Sequence, residues 1–207
     1  MTPAAGRGWA NVLIAVGGLL MALLWIRFIT LHGPTSFNED GRWLGQDPLF
    51  WGAMMSAPPS LLIALGLWGH RALLTRRAGR AARIGYALVL VGLVVPALVD
   101  LALVALGPPL LLPLVAVGLL LLGVHHRRNP ALPGTARVVL PGLGLLLLAA
   151  FGFMIGVPPA TFDRIDGYRL FGLAAHLAFG FGWITFAASL ARASRFRASV
   201  IDAQNAV

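Results

Sequence analysis

The chain contains no cysteine and no lysine. Without cysteine there are no disulfides, thiolate nucleophiles, iron–sulfur clusters or cysteine-type zinc sites. Without lysine there is no Schiff-base chemistry and no amine nucleophile. Acidic residues are also scarce: 7 Asp and Glu stand against 16 basic residues, all of them Arg. Charged residues of both signs make up only 11% of the chain. Nucleotide-binding loops, dinucleotide fingerprints, GxSxG elbows and HExxH helices are all missing. The enzyme classes with a recognisable local signature therefore have nothing to stand on here.

What is present in quantity is apolar. Of 207 residues, 58% are hydrophobic, and the mean hydropathy is +0.84. A soluble domain of this length needs more polar surface than that. With 25 Gly and 14 Pro, the composition suits membrane helices, where both residues are tolerated. About 20 apolar residues cross ~30 Å of hydrocarbon. The sequence predicts six such helices at about 9–32, 49–70, 85–106, 110–124, 138–157 and 169–190. They form one membrane domain over 1–207, an all-α polytopic bundle. The fourth is the shortest, with Pro113 near its start. The apolar run from Ala10 to Ile26 is too long for a signal-peptide core and is read as a retained first helix.

The arginines orient this bundle. Arg7, then Arg71, Arg76, Arg77, Arg80 and Arg83, then Arg127, Arg128 and Arg137, then Arg192, Arg195 and Arg197 occupy one set of alternating segments. The opposite set holds Arg42, Arg164 and Arg169, together with Glu39, Asp40, Asp47, Asp163 and Asp166. Short-loop arginine marks the cytoplasmic side, so both termini are expected inside. Arginine used to the exclusion of lysine fits a GC-rich genome, which points to a bacterial plasma membrane. The net charge of +9 sits in short loops at membrane edges. No soluble module presents it, so nucleic acid is excluded as a partner. The expected partners are the lipid bilayer and, at the arginine-rich loops, anionic headgroups. A membrane-protein partner or a second copy of the chain is the further option.

Three ionisable residues fall within the expected spans: Arg27, Asp100 and His176. Each lies ~8–10 Å below the outer boundary, counted at 1.5 Å per residue. An arginine or aspartate at a span centre costs on the order of 2.5–3.5 kcal/mol, less toward the interface. Pairing offsets part of this, so one expectation is an Arg27–Asp100 ion pair with His176 beside it. Against it stand simpler uses. Arg27 can snorkel outward, Asp100 can bond backbone freed by Pro96, and His176 can hold a neighbouring helix. Gly172, His176 and Gly180 share one helix face, which directs His176 at another helix. Gly52, Ser56, Ser60 and Ala64 on the second helix, and Gly152 with Gly156 on the fifth, are expected packing seams.

Pro58 and Pro59 lie in the second helix and deprive Met54 and Met55 of their carbonyl partners, a candidate helix break. Neither haem nor metal is expected. His70, His125 and His126 lie at the inner edge, and His32, Asp100 and His176 lack a ligand motif. The leading functional expectation is a small permease-like module. In it, Arg27, Asp100 and His176 form an outward-facing polar site coupled to protons. The alternative is a non-catalytic accessory or structural subunit, in which the trio is a lock between helices. An enzymatic activity has no motif behind it, and no cofactor is implied.

Overall fold

The computed structural model describes residues 8–32, 44–46, 48–76, 79–104, 110–127, 132–156 and 165–205. The elements are seven helices: α1 (Gly8–His32), α2 (Pro48–Gly69), α3 (Arg71–Thr75), α4 (Arg80–Leu103), α5 (Leu112–His126), α6 (Gly134–Gly156) and α7 (Ile165–Asn205). Five of them (α1, α2, α4, α6 and α7) are long and apolar enough to cross a membrane. The predicted fourth crossing corresponds to α5, which has 15 residues. At 1.5 Å per residue it reaches ~22 Å, short of a ~30 Å hydrocarbon layer.

The helix ends differ from the sequence reading in one consistent way. The last helix runs for 41 residues, well past the expected stop at 190. The third begins at Arg80, not Gly85. Hydropathy falls in both places, but Ala and Arg are strong helix formers. No Gly or Pro follows Gly182 to break α7. The apolar run ends there; the helix does not. α2 is helical through both Pro58 and Pro59, so the expected break is a stretch of continuous helix. The α3 turn, inserted between α2 and α4, was not foreseen. Glu39, Asp40, Arg42, Trp43, Asp163 and Arg164, expected in the outer loops, lie outside the described residues.

The long helices and α5 pack as a closed ring in the order α1, α2, α4, α5, α6, α7 and back to α1. Facing residues give the directions. On α1, Gly17 meets Pro59 and Ile63 of α2, while Ala10 and Ile14 meet Gly66. Numbers fall on one helix as they rise on the other, so the two are antiparallel. The same holds for α4 and α5 (Gly85 on Gly118, Gly92 on Leu111), for α5 and α6 (Gly123 on Pro141, Gly144 on Ala116), and for α1 and α7 (Gly18 on Gly180, Gly172 on Trp25). For α6 and α7, Leu143 meets Gly182, and Phe153 stacks on Phe171. Direction therefore alternates around the ring. The start of α1 and the end of α7 lie at the same end of the bundle. Arg71, Arg76, Arg80, Arg83, Arg127, Arg137, Arg192 and Arg195 all fall at that end, and Arg27 falls at the other.

The seams depend on missing side chains. A Cβ on Gly18 would lie 2.6 Å from the carbonyl oxygen of Gly180, and one on Gly180 would lie 2.5 Å from that of Gly18. Gly123 leaves room for the Pro141 ring in the same way. Lipid is as apolar as leucine, so burial alone does not drive these helices together; close dispersion contact does. Inside the ring, Ile14, Ile63, Val89, Leu119, Leu140, Trp183 and Phe186 belong to one continuous apolar core. Gly152 and Gly156 depart from the expectation: both are exposed, with nothing within 4 Å of either. They form no seam with the described residues.

Gly180→Leu forces backbone apart and is expected to destabilise by about 1–3 kcal/mol or more. That is a fall of ~2–4 °C per kcal/mol in a chain of this size. Gly152→Ala is expected to leave the melting temperature in detergent within roughly 2 °C of wild type, since it meets nothing. Thermal melts of the two variants check both.

Candidate functional site

His176 enters through the α1–α7 seam. Trp25 of α1 faces Gly172 of α7, and the His176 ring stacks on Trp25 with centroids 4.1 Å apart and planes at 24°. His176 Nδ1–H donates to the Gly172 carbonyl at 2.7 Å. A carbonyl oxygen only accepts, so Nδ1 carries the proton. The histidine therefore points at a neighbouring helix, as the spacing of Gly172, His176 and Gly180 indicated. It joins α7 to α1 through a ring stack.

Arg27 is two residues past Trp25, which turns it about 200° around the helix. It shares a face with Val16 and Leu23, and all three are exposed. That face is the outside of the ring. Asp100 behaves in the opposite way. It is 3% exposed and ends the buried stripe of α4 that runs through Tyr86, Val89, Leu93 and Ala97. Its carbonyl receives the backbone N–H of Val104, whose φ of 49° is the left-handed cap of the helix.

The three residues share one end of the bundle. Read through the facing pairs, Arg27 lies about two residues outside the level of Asp100 and His176 about three residues inside it, a spread of ~7.5 Å. Their seats differ. α7 packs on α1 and α6, whereas α4 packs on α2 and α5, so His176 and Asp100 occupy opposite sides of the ring. Among the described residues, no group of three or more His, Asp or Glu is placed to hold a metal ion.

A second polar layer, at the arginine-rich end, was missed as a set. His70 Nε2–H donates to the side-chain oxygen of Asn11 at 2.7 Å, and both residues are buried, tying the α2–α3 junction to α1. His126 is 0% exposed and its Nε2–H donates to the carbonyl of Leu74 at 2.9 Å, tying α5 to α3. The N–H of Gly79 donates to His125 Nε2 at 3.3 Å. The Tyr86 hydroxyl donates to the Leu67 carbonyl at 3.2 Å, tying α4 to α2. Asn11, a lone polar residue in an apolar run, was the one available sequence signal. The histidines were discounted because they border the arginine loops.

No family model, curated protein or solved structure matches the chain. The site is therefore defined by this geometry alone. Its chemistry is that of buried hydrogen bonds holding helix to helix.

Truncating one partner of a buried hydrogen bond strands the other, at about 1–3 kcal/mol. Asn11→Ala and His70→Ala are each expected to destabilise by that amount. The double variant should cost clearly less than their sum, with a coupling of roughly 0.5–3 kcal/mol. Denaturation of the four proteins in detergent measures it.

Proposed function

We propose that this chain is a non-catalytic structural or accessory module of a bacterial plasma membrane. It crosses six times, with α5 as a short fourth span and both termini in the cytoplasm. The observation that carries this reading is the ring itself. Every seat has two neighbours, all the seams but α2–α4 carry glycines whose Cβ positions are blocked, and the interior is filled by apolar side chains with Trp183 and Phe186 fully buried. The polar groups fit the same role. His70 and His126 each bind a side-chain amide or a carbonyl oxygen of another element, and His176 stacks on Trp25 of α1. The orientation rests on the arginines gathered at one end of the bundle.

A second reading is supported by Asp100. A carboxylate buried inside a membrane bundle is costly and is a functional candidate by default. On that reading the chain is a permease-like module, and Asp100, with Arg27 and His176 at the same end, moves protons together with a solute.

The two readings diverge on Asp100→Asn. As a structural element, Asp100 is expected to lower the melting temperature by more than ~2 °C when replaced. Reconstituted wild-type protein should then leave an imposed pH gradient across liposomes intact. If the variant melts like wild type and wild-type protein collapses the gradient in an Asp100-dependent manner, the structural reading is wrong.

Orientation has its own test. Because the chain lacks cysteine, single introduced thiols report sidedness. Leu44→Cys should react with a membrane-impermeant maleimide in intact cells. Ser194→Cys should react only after lysis. The reverse pattern contradicts the proposed topology.

A further inference from the structure

The α2–α4 seam at the arginine-rich end carries a second kind of feature, turned toward lipid. On α2, Trp68 is 57% exposed, and it shares a face with the half-buried Leu61, seven residues earlier. The Arg71 guanidinium lies 5.3 Å from the centre of the Trp68 ring. This contact holds the charge over an exposed aromatic at the membrane edge. On α4, Arg83 shares a face with Leu90 and Val94, which pack against the core from the flank of the seam. Arg80 heads the outer stripe that continues through Ile84, Ala87 and Val91, all exposed. The Tyr86–Leu67 hydrogen bond sets the level of the two helices. Within about one helical turn of that level stand Trp68, Arg71 and Arg83, and Arg80 lies about 9 Å along α4 from Tyr86, at the start of the helix.

Three exposed arginines thus stand at one end of the apolar α2–α4 seam, and described acidic residues do not accompany them: Asp100, at the far end of α4, is the one acid on α2, α3 or α4 whose side chain is described. Guanidinium groups match the geometry of a phosphate diester. The surfaces below them, Leu61 and Leu90 flanked by Leu65 and Val91, run parallel to acyl chains. Charge complementarity and depth together select one occupant. We propose that the α2–α4 seam is a binding site for one anionic phospholipid. Its phosphate is held by Arg71, Arg80 and Arg83, its glycerol region lies on Trp68, and an acyl chain lies along the cleft between the two helices.

The site predicts local, not diffuse, electrostatics. Each arginine near a membrane surface contributes about fivefold in affinity for anionic lipid. The measurement is quenching of Trp68 emission by phosphatidylglycerol with brominated acyl chains, added to purified full-length protein in neutral detergent. The Trp68→Phe protein supplies the background from the other tryptophans. Phosphatidylglycerol is expected to bind at least ~10-fold more tightly than brominated phosphatidylcholine. The triple variant Arg71→Gln, Arg80→Gln, Arg83→Gln should lose at least ~10-fold in affinity. Arg127→Gln, Arg192→Gln, Arg195→Gln removes the same charge from α5 and α7 and should change it less than ~3-fold. Millimolar inorganic phosphate should not displace the lipid. If the first triple variant fails to fold, Arg83→Gln alone should still weaken binding by about fivefold. Equal losses in the two triple variants, equal binding of phosphatidylcholine, displacement by inorganic phosphate, or an unchanged Arg83→Gln overturns the site.

Discussion

The contact between Gly18 and Gly180 is the constraint on which the bundle depends. A chain of antiparallel helices joined by short connections needs no contact between its first and last members. Here the first and last do meet, backbone against backbone, because neither presents a Cβ to the other. The closure turns a row of helices into a ring and gives each helix two packed flanks. It also aligns Trp25 with Gly172, which places His176 against Trp25. Without the closure, α1 and α7 would each expose a flank to lipid, and the stacked ring pair would have no partner.

Polar groups then finish what the glycines start. In the hydrocarbon, backbone groups are satisfied within each helix, so side-chain hydrogen bonds are left to specify which helices touch. The His70–Asn11, His126–Leu74 and Tyr86–Leu67 bonds each join different elements at the arginine-rich end. Model systems place such bonds at about 0.6–2 kcal/mol each. Their worth lies in choosing one register from several sterically possible ones. The indole N–H of Trp183, buried with no hydrogen-bond partner among the described residues, shows the other side of this economy: shape at the ring centre is filled at the expense of a polar group.

Much of this was legible from residue order. Apolar runs located each long helix to within a few residues at most ends. The four-residue repeat of Gly172, His176 and Gly180 correctly aimed His176 at a helix. What stayed hidden has physical causes. Hydropathy marks where a membrane ends and does not mark where a helix ends, so the Ala- and Arg-rich ends of α4 and α7 were cut short. A glycine repeat looks the same whether it faces protein or lipid. That is why Gly152 and Gly156 resembled a seam that is not made among the described residues. Depth along a span can be counted only coarsely: the count put Arg27, Asp100 and His176 at ~8–10 Å below one boundary, and the facing pairs spread them over ~7.5 Å. Which face each presents depends on the ring order, and ring order is a tertiary fact. Arg27 lies on the outer stripe of α1 while Asp100 lies on the inner stripe of α4.

An experimental density map of the purified protein, resolved to side chains, tests the closed ring most directly. The account predicts α1 seated between α2 and α7, with the backbones of Gly18 and Gly180 in van der Waals contact and the His176 ring lying on Trp25. A map in which α1 and α7 are separated by lipid, or by another helix of the bundle, contradicts it.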